Sequence, residues 1–312
     1  MSAASVMRLP SPLRSVRMRP STFGGRLPTL LPWALRAAWA VLPLTAGPSL
    51  GAALHGHSRP VQLVASTVLW AAWAAVVTAT LVAHPLALTV LRVVTPAALV
   101  AALAATVDGH PSAVTVGSTA LALVLAFLPE TGARYVNGPA YPNERRLPLR
   151  VPGPLLLGIL PLAWTLAVGA PVGVLLLLAS RRWVAGGLLA VVGLPVAGLL
   201  MAAMNNLSRR WVVFVPAGLV LHDPIALADP VLFRRQTIEV LRPAPADTDS
   251  LDLTQRAPGL ALELVLTEKV PMMLMRPGTR IGEPGSSARL LFTPTRPGEV
   301  LKEAAARRII TG

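Results

Sequence analysis

The sequence predicts an α-helical polytopic membrane bundle of about six spans followed by a small, mainly β cytoplasmic domain. Three observations carry this. The 312 residues are 54% hydrophobic with a mean hydropathy of +0.61, well above ordinary soluble chains. Charge is unevenly divided: residues 1–204 hold 14 arginines against only Asp108, Glu130 and Glu144, whereas residues 205–312 hold 14 basic and 11 acidic side chains. After Met204 the long apolar runs give way to short β-branched runs cut by Pro, Gly and Asp, the pattern of strands and turns. The arginines lie between apolar segments rather than on one amphipathic face, so the basic excess reads as membrane topology and not nucleic-acid binding. With no cysteine, the chain has no disulfide, thiolate metal site or cysteine nucleophile.

Crossing a hydrocarbon core of about 30 Å takes roughly 20 apolar helical residues, because lipid offers no partner for bare backbone N–H and C=O groups. Residues 1–26, rich in Arg, Ser and Pro, predict a disordered basic tail. Six apolar runs follow, at about 27–50, 61–83, 86–107, 113–128, 154–178 and 183–204, which define a transmembrane domain over 27–204. The fourth is short and the fifth is interrupted by Pro161, Gly169 and Pro171, leaving five or seven spans as alternatives. The first run exceeds a usual signal-peptide core and its basic lead is long, which argues against cleavage. Nine arginines fall in the tail and the 129–150 connection, against Arg59, Arg181 and Arg182 on the opposite side. The positive-inside rule then places both termini in the cytoplasm. Arg36 and Arg92 fall inside the first and third spans, close enough to that face to snorkel. Gly186 with Ala190, and Gly193 with Ala197, put small residues at helix-packing spacing.

Residues 205–312 read as a β domain. "RWVVFV" and "LVLHD" predict a hairpin across Pro216, Ala217 and Gly218, and "FRRQTIEVLRP" a third strand. "LDLTQ" and "LALELVLTE" predict a second hairpin, with Leu260, Leu262, Leu264 and Leu266 on one face. "PMMLM" and "RLLFT" predict two further strands separated by the polar loop "RPGTRIGEPGSSA". "RPGEVLKEAAARRII" predicts a closing helix, with Pro297 in its first turn and Val300, Leu301, Ala304, Ala305 and Ile309 in one stripe.

The entry "RRWVVFVPAGLVLHD", the strand "FRRQTIEVLRP" and the exit "LLFTPTRPGEVLKEAAARR" together resemble a bacterial pleckstrin-homology-like domain behind a polytopic anchor. That resemblance covers about a third of the chain. It implies a bent seven-stranded sheet capped at one end by the C-terminal helix, held at a bacterial inner membrane, in a fold whose members bind partners or ligands rather than catalyse. The first hairpin turn, Pro-Ala-Gly, departs from the lysine-bearing pattern of phosphoinositide binders.

The candidate interaction site is the connection "PETGARYVNGPAYPNERR", residues 129–146, which gathers Glu130, Arg134, Tyr135, Asn137, Tyr141, Asn143, Glu144, Arg145 and Arg146. Its arginines suit phosphate or carboxylate, its Asn and Tyr groups hydrogen bonding, and Asn137-Gly138 a structured turn. It reads either as a topology-retaining loop or as a contact between the bundle and the β domain. His55, His57, Asp108 and His110, and separately Asp247, Asp249 and Asp252, have metal-ligand chemistry, but solvated loops explain them more simply. Met272, Met273 and Met275 read as buried strand side chains. The sequence holds no catalytic signature of the HExxH, Walker, GxGxxG or GxSxG kind, and no cofactor is expected. The expected function is non-enzymatic: a membrane anchor for a domain that meets membrane lipids, a protein partner or a second copy through its spans. The alternatives are a transporter or channel component, and an enzyme acting on a lipid-linked substrate with Glu130 or Glu144 as acid or base.

Overall fold

The computed structural model describes residues 27–275 and 282–312. The predicted basic tail, 1–26, and part of the predicted polar loop, 276–281, lie outside the described residues. Among the described residues eight helices precede the main β region: α1 (Leu27–Thr45), α2 (Gly47–Leu54), α3 (Arg59–Leu81), α4 (Pro85–Val107), α5 (Ala113–Phe127), α6 (Pro129–Asn137), α7 (Leu160–Ala179) and α8 (Trp183–Leu207). Among the described residues, five helical runs are long and apolar enough to cross a membrane, α1 and α2 together counting as one.

The predicted fourth span is the exception. α5 has 15 residues, about 22 Å of helix, and bends by 54° into α6, so a sixth span exists only if the bent pair is taken as one. The cause is local. Pro129 has no N–H to continue the helix and forces Leu128 into an extended conformation, with ψ 138°. The predicted fifth span opens with a π-helical turn over Leu155–Ile159 ahead of α7. Gly193 lies against the Ala170 methyl of α7 and Gly186 against Leu178, so the small residues of α8 let these two helices approach closely.

Cross-helix bonds establish which helix ends meet. Thr115 donates to the carbonyl of Thr45 at 3.0 Å and its hydroxyl lies 2.9 Å from that of Ser49, which joins α1, α2 and the start of α5. At the other end Arg36 donates to Thr80, Tyr135 donates to Ala79, and the Thr89 hydroxyl meets Asn205 and Ser208. The ends near 81–85, 128–150 and 207–210 are therefore the ones that face the β region. Arg92 reaches the same end, with its guanidinium over Phe127 and against Gly132.

Among the described residues the β region contains two four-stranded sheets. The first has the order β1 (Arg145–Pro148), β2 (Trp211–Val215), β3 (Gly218–His222) and β4 (Val231–Arg234), all antiparallel. The second has the order β5 (Ile238–Pro243), β7 (Leu262–Leu274), β8 (Glu283–Phe292), β6 (Leu251–Asp252). The predicted first hairpin is present as β2 and β3. Gly218 takes φ +152° there, and a Cβ at that position would overlap the carbonyl of Phe233. The closing helix is present as α9 (Pro297–Ala306), which buries Val300 and Ala304 with Leu301 packed beside them, while Ala305 faces outward.

Four sequence-based expectations need correction. "FRRQTIEVLRP" is not one strand: a 3-10 turn over Arg235–Thr237 breaks it, and its halves enter different sheets as β4 and β5. "LDLTQ" does not form a hairpin with "LALELVLTE", because its two strand residues run parallel to β8 while β7 lies between β5 and β8. "LALELVLTE" and "PMMLM" are one long strand with an irregularity between Val265 and Val270, so Leu262, Leu264 and Leu266 are buried but Leu260 lies outside it and is exposed. The end of the predicted polar loop is already strand, since β8 begins at Glu283. A further correction concerns the methionines expected to be buried: Met272 is, but Met273 is exposed, as alternation requires, and Met275 is only half-buried.

One buried carboxylate stabilises the second sheet. Glu263 accepts hydrogen bonds from Arg242 (2.8 Å), Ser250 (2.6 Å) and Thr248 (2.5 Å), so the predicted acidic turn contributes its hydroxyls rather than its aspartates. Burial disfavours the charged form, but the bonds from Ser250, Thr248 and Arg242 and the charge of Arg242 outweigh it and hold the carboxyl down to about 2. An unfolded Glu titrates near 4.3, so this stabilisation is complete above that value and is lost as pH falls toward 2, to a total of about 3 kcal/mol. We expect Glu263→Gln to flatten that part of the acid-stability curve, measured by denaturant midpoint from about pH 5 downward. An unchanged acid limb in the variant would count against the assignment.

Candidate functional site

The 129–150 connection is not a loop throughout. Its first part is α6, an amphipathic helix that buries Thr131, Gly132, Tyr135 and Val136. Glu130 sits in its first turn and Arg134 in its last, the signs that suit the helix dipole. Gly138 lies against the α3–α4 junction, where a Cβ would overlap the carbonyl of Ala83. The second part is β1, which hydrogen-bonds to β2 with Leu147 opposite Val212. On its other edge Leu149 bridges to Pro294, Arg150 N–H donates to Thr293 at 2.8 Å, and Thr295 donates to Pro148. A connection between two apolar helices thus supplies a strand bonded on both edges to the β region.

Each predicted site residue now has a place. Asn137 closes the turn between α6 and β1: its amide donates to the carbonyls of Ala133 and Arg146 and its Oδ1 accepts from the Arg146 N–H at 2.8 Å. Glu144 forms an ion pair with Arg146 at 2.8 Å and accepts from the Tyr141 N–H. The Arg146 bond, then the Tyr141 N–H and the Arg146 charge, outweigh partial burial and lower its pKa below the ordinary carboxylate value. Arg146 also lies over Trp211, 5.5 Å from the ring centre. Glu130 pairs with Arg296 at 3.1 Å, which also holds Glu299. The Asn143 carbonyl accepts from Arg307, itself paired to Glu303. Tyr135 is buried, whereas Arg134, Tyr141 and Arg145 are exposed.

Sequence reasoning missed the most buried polar group of this junction. Arg210 binds Asp223 through two bonds of 2.7 and 2.6 Å, with side chains 2% and 0% exposed, and donates a third to the carbonyl of Arg150. The first and last charged residues of "RWVVFV…LVLHD" carry the signal, since the hairpin register sets Trp211 opposite His222 and so brings the flanking Arg210 and Asp223 together.

Beside this junction, between the ends of α4 and α8 and the first sheet, lies a cleft of about 530 Å³. His84 and Leu86 line the helical side, and Trp211, Val220 and His222 the sheet side, with Arg209 at the sheet's entry. His222 stacks on Trp211 at 5.1 Å. Burial, then repulsion from Arg209 and Arg146 against the pull of Asp223, lowers the imidazole pKa, which favours the neutral ring. Among the described residues Glu144 is the one carboxylate on the cleft's lining, and it is already paired. Among the described residues no three His, Asp or Glu side chains converge as a metal site, so His55, His57, Asp108 and His110 do not combine, nor do the aspartates of "DTDSLD". Asp252 instead accepts from the Thr254 N–H.

Comparison with protein-family models, with curated proteins and with solved structures gave no match.

Proposed function

We propose that the chain is a non-enzymatic membrane protein whose helical bundle anchors a PH-like binding domain on the cytoplasmic side of a bacterial inner membrane. The observation that carries this reading is the fate of the connection's two carboxylates. Glu144 and Glu130 are each paired to an arginine, so neither is presented as a general acid or base in the cleft. Two sheets with a C-terminal helix packed on the core support the PH-like assignment, and the arginine asymmetry of the connections supports the orientation. The buried threonines of the helices are bonded to neighbouring backbone, as for Thr95 and Thr119, which favours an anchor over a polar conduction path.

Photoreactive residues in place of Leu232 and Ile310, both exposed on the β region, test the reading in native membranes. Lipid or protein adducts at either position are expected. Absence of adducts at both, or a periplasmic reporter that is active when fused after Gly312, would sink it.

A further inference from the structure

The first sheet has two different faces. Directly paired residues share a face, so Val212, Phe214, Leu219, Leu221 and Phe233 all enter the β core. The opposite face carries the row Arg146, Val213, Val220, Leu232 across the four strands. Burial falls along that row. Val213 is 5% exposed and belongs to the core shared with the helices, Val220 is half-buried, and Leu232 is 42% exposed. The next row, Val215, Gly218 and Arg234, also ends in an exposed side chain on β4. The face that packs on the apolar helices therefore continues past them, turned toward the same end of the bundle, and on the membrane-anchor reading that direction is toward the bilayer.

Its chemistry suits that position. Arg209, Arg234 and Arg235 are exposed and have no ion pair among the described residues. Arg234 and Arg235 line a hollow of about 770 Å³ with Leu232 and the Pro216-Ala217 turn, and among the described residues no carboxylate lines it. In the neighbouring cleft the lone carboxylate is neutralised by Arg146. Exposed Leu86, in the first turn of α4, joins the cleft to the lipid-facing surface of the helices. An apolar side chain flanked by unpaired guanidinium groups at this level matches acyl-chain edge and phosphate together.

We infer that this overhanging face binds the phosphates of anionic phospholipids in the adjoining leaflet, through Arg209, Arg234 and Arg235, with Leu232 as the apolar contact. The inference rests on the membrane-anchor reading above and names the ligand of its β domain. The test uses the full chain in nanodiscs of equal phosphatidylglycerol and phosphatidylcholine, with a photoreactive residue at position 232 and lipid adducts identified by mass. Anionic adducts are expected to exceed zwitterionic ones by about fivefold or more, the preference one arginine near an anionic surface confers. Arg209→Gln, Arg234→Gln and Arg235→Gln together should bring the ratio close to one. A photoreactive residue at exposed Val192 on α8 is the control and should show no such preference in either protein. Equal adduct yields at position 232, or none, overturn the inference, as does loss of the anionic adducts on adding soluble glycerol phosphate, which would make the ligand a free phosphate ester. If those results come with protein adducts at Ile310 in native membranes, this inference fails while the anchor reading stands.

Discussion

Replacing Asp223 by Ala should destabilise the β region by about 3 to 5 kcal/mol, because it strands a buried guanidinium without its counter-charge. Arg210 is 2% exposed, and its remaining bond, to the carbonyl of Arg150, leaves most of its charge uncompensated. The same change also removes the acceptor of the Ile225 N–H, which loosens the turn after β3. Removing both charges together is different. Arg210→Met with Asp223→Leu eliminates the desolvation cost along with the attraction, and most of the lost stability should return. The measurement is pulse proteolysis of the full chain in detergent across a denaturant series, with cleavage scored after residue 210. A single-variant loss below about 1 kcal/mol would place the pair among screened surface contacts and refute its role.

A comparable effect is expected far upstream in sequence. Leu147→Ala should cost about 2 to 5 kcal/mol, and should unfold residues 211–312 more readily although Leu147 lies between two helices of the bundle. The side chain is 2% exposed and belongs to the same core as Phe214, Leu241 and Phe292. Arg145→Ala, one strand position from the turn and exposed, is the control and should change little. Equal midpoints for Leu147→Ala and the parent would mean that β1 is a passive edge. The physical basis is that β1 lies between β2 and residues 293–295, so loss of its packing loosens backbone pairing on both edges.

Much of the fold was legible in the sequence where one local rule dominates. Runs of apolar residues long enough to cross a bilayer announce helices because unsatisfied backbone is intolerable in lipid, and five helical runs of that length and apolarity are present among the described residues. Pro216-Ala217-Gly218 announces the first hairpin because its glycine takes a conformation closed to side chains at that turn. The stripe Val300, Leu301 and Ala304 announces a helix packed on a core. Pairing between distant strands was not legible. "LALELVLTE" alternates equally well whether its neighbour is β6 or β8, since alternation specifies a face and not a partner. Nor does propensity reveal that "FRRQTIEVLRP" crosses from one sheet to the other at Arg235–Thr237.

The connection 129–150 shows the division most clearly. Its composition alone determined that it is polar, arginine-rich and flanked by apolar helices, and that Asn137-Gly138 marks a turn. That Glu130 meets Arg296, that Arg210 reaches the carbonyl of Arg150, and that Leu147 completes a core built from residues 211–309 were decided only by tertiary structure. The reason is one of range. Helix length, turn conformation and burial periodicity follow from free energies within a few residues, and a single sequence displays them. A strand or charge meets its partner across 60 to 170 residues because the helices place both at one end of the bundle, and no local pattern encodes that meeting.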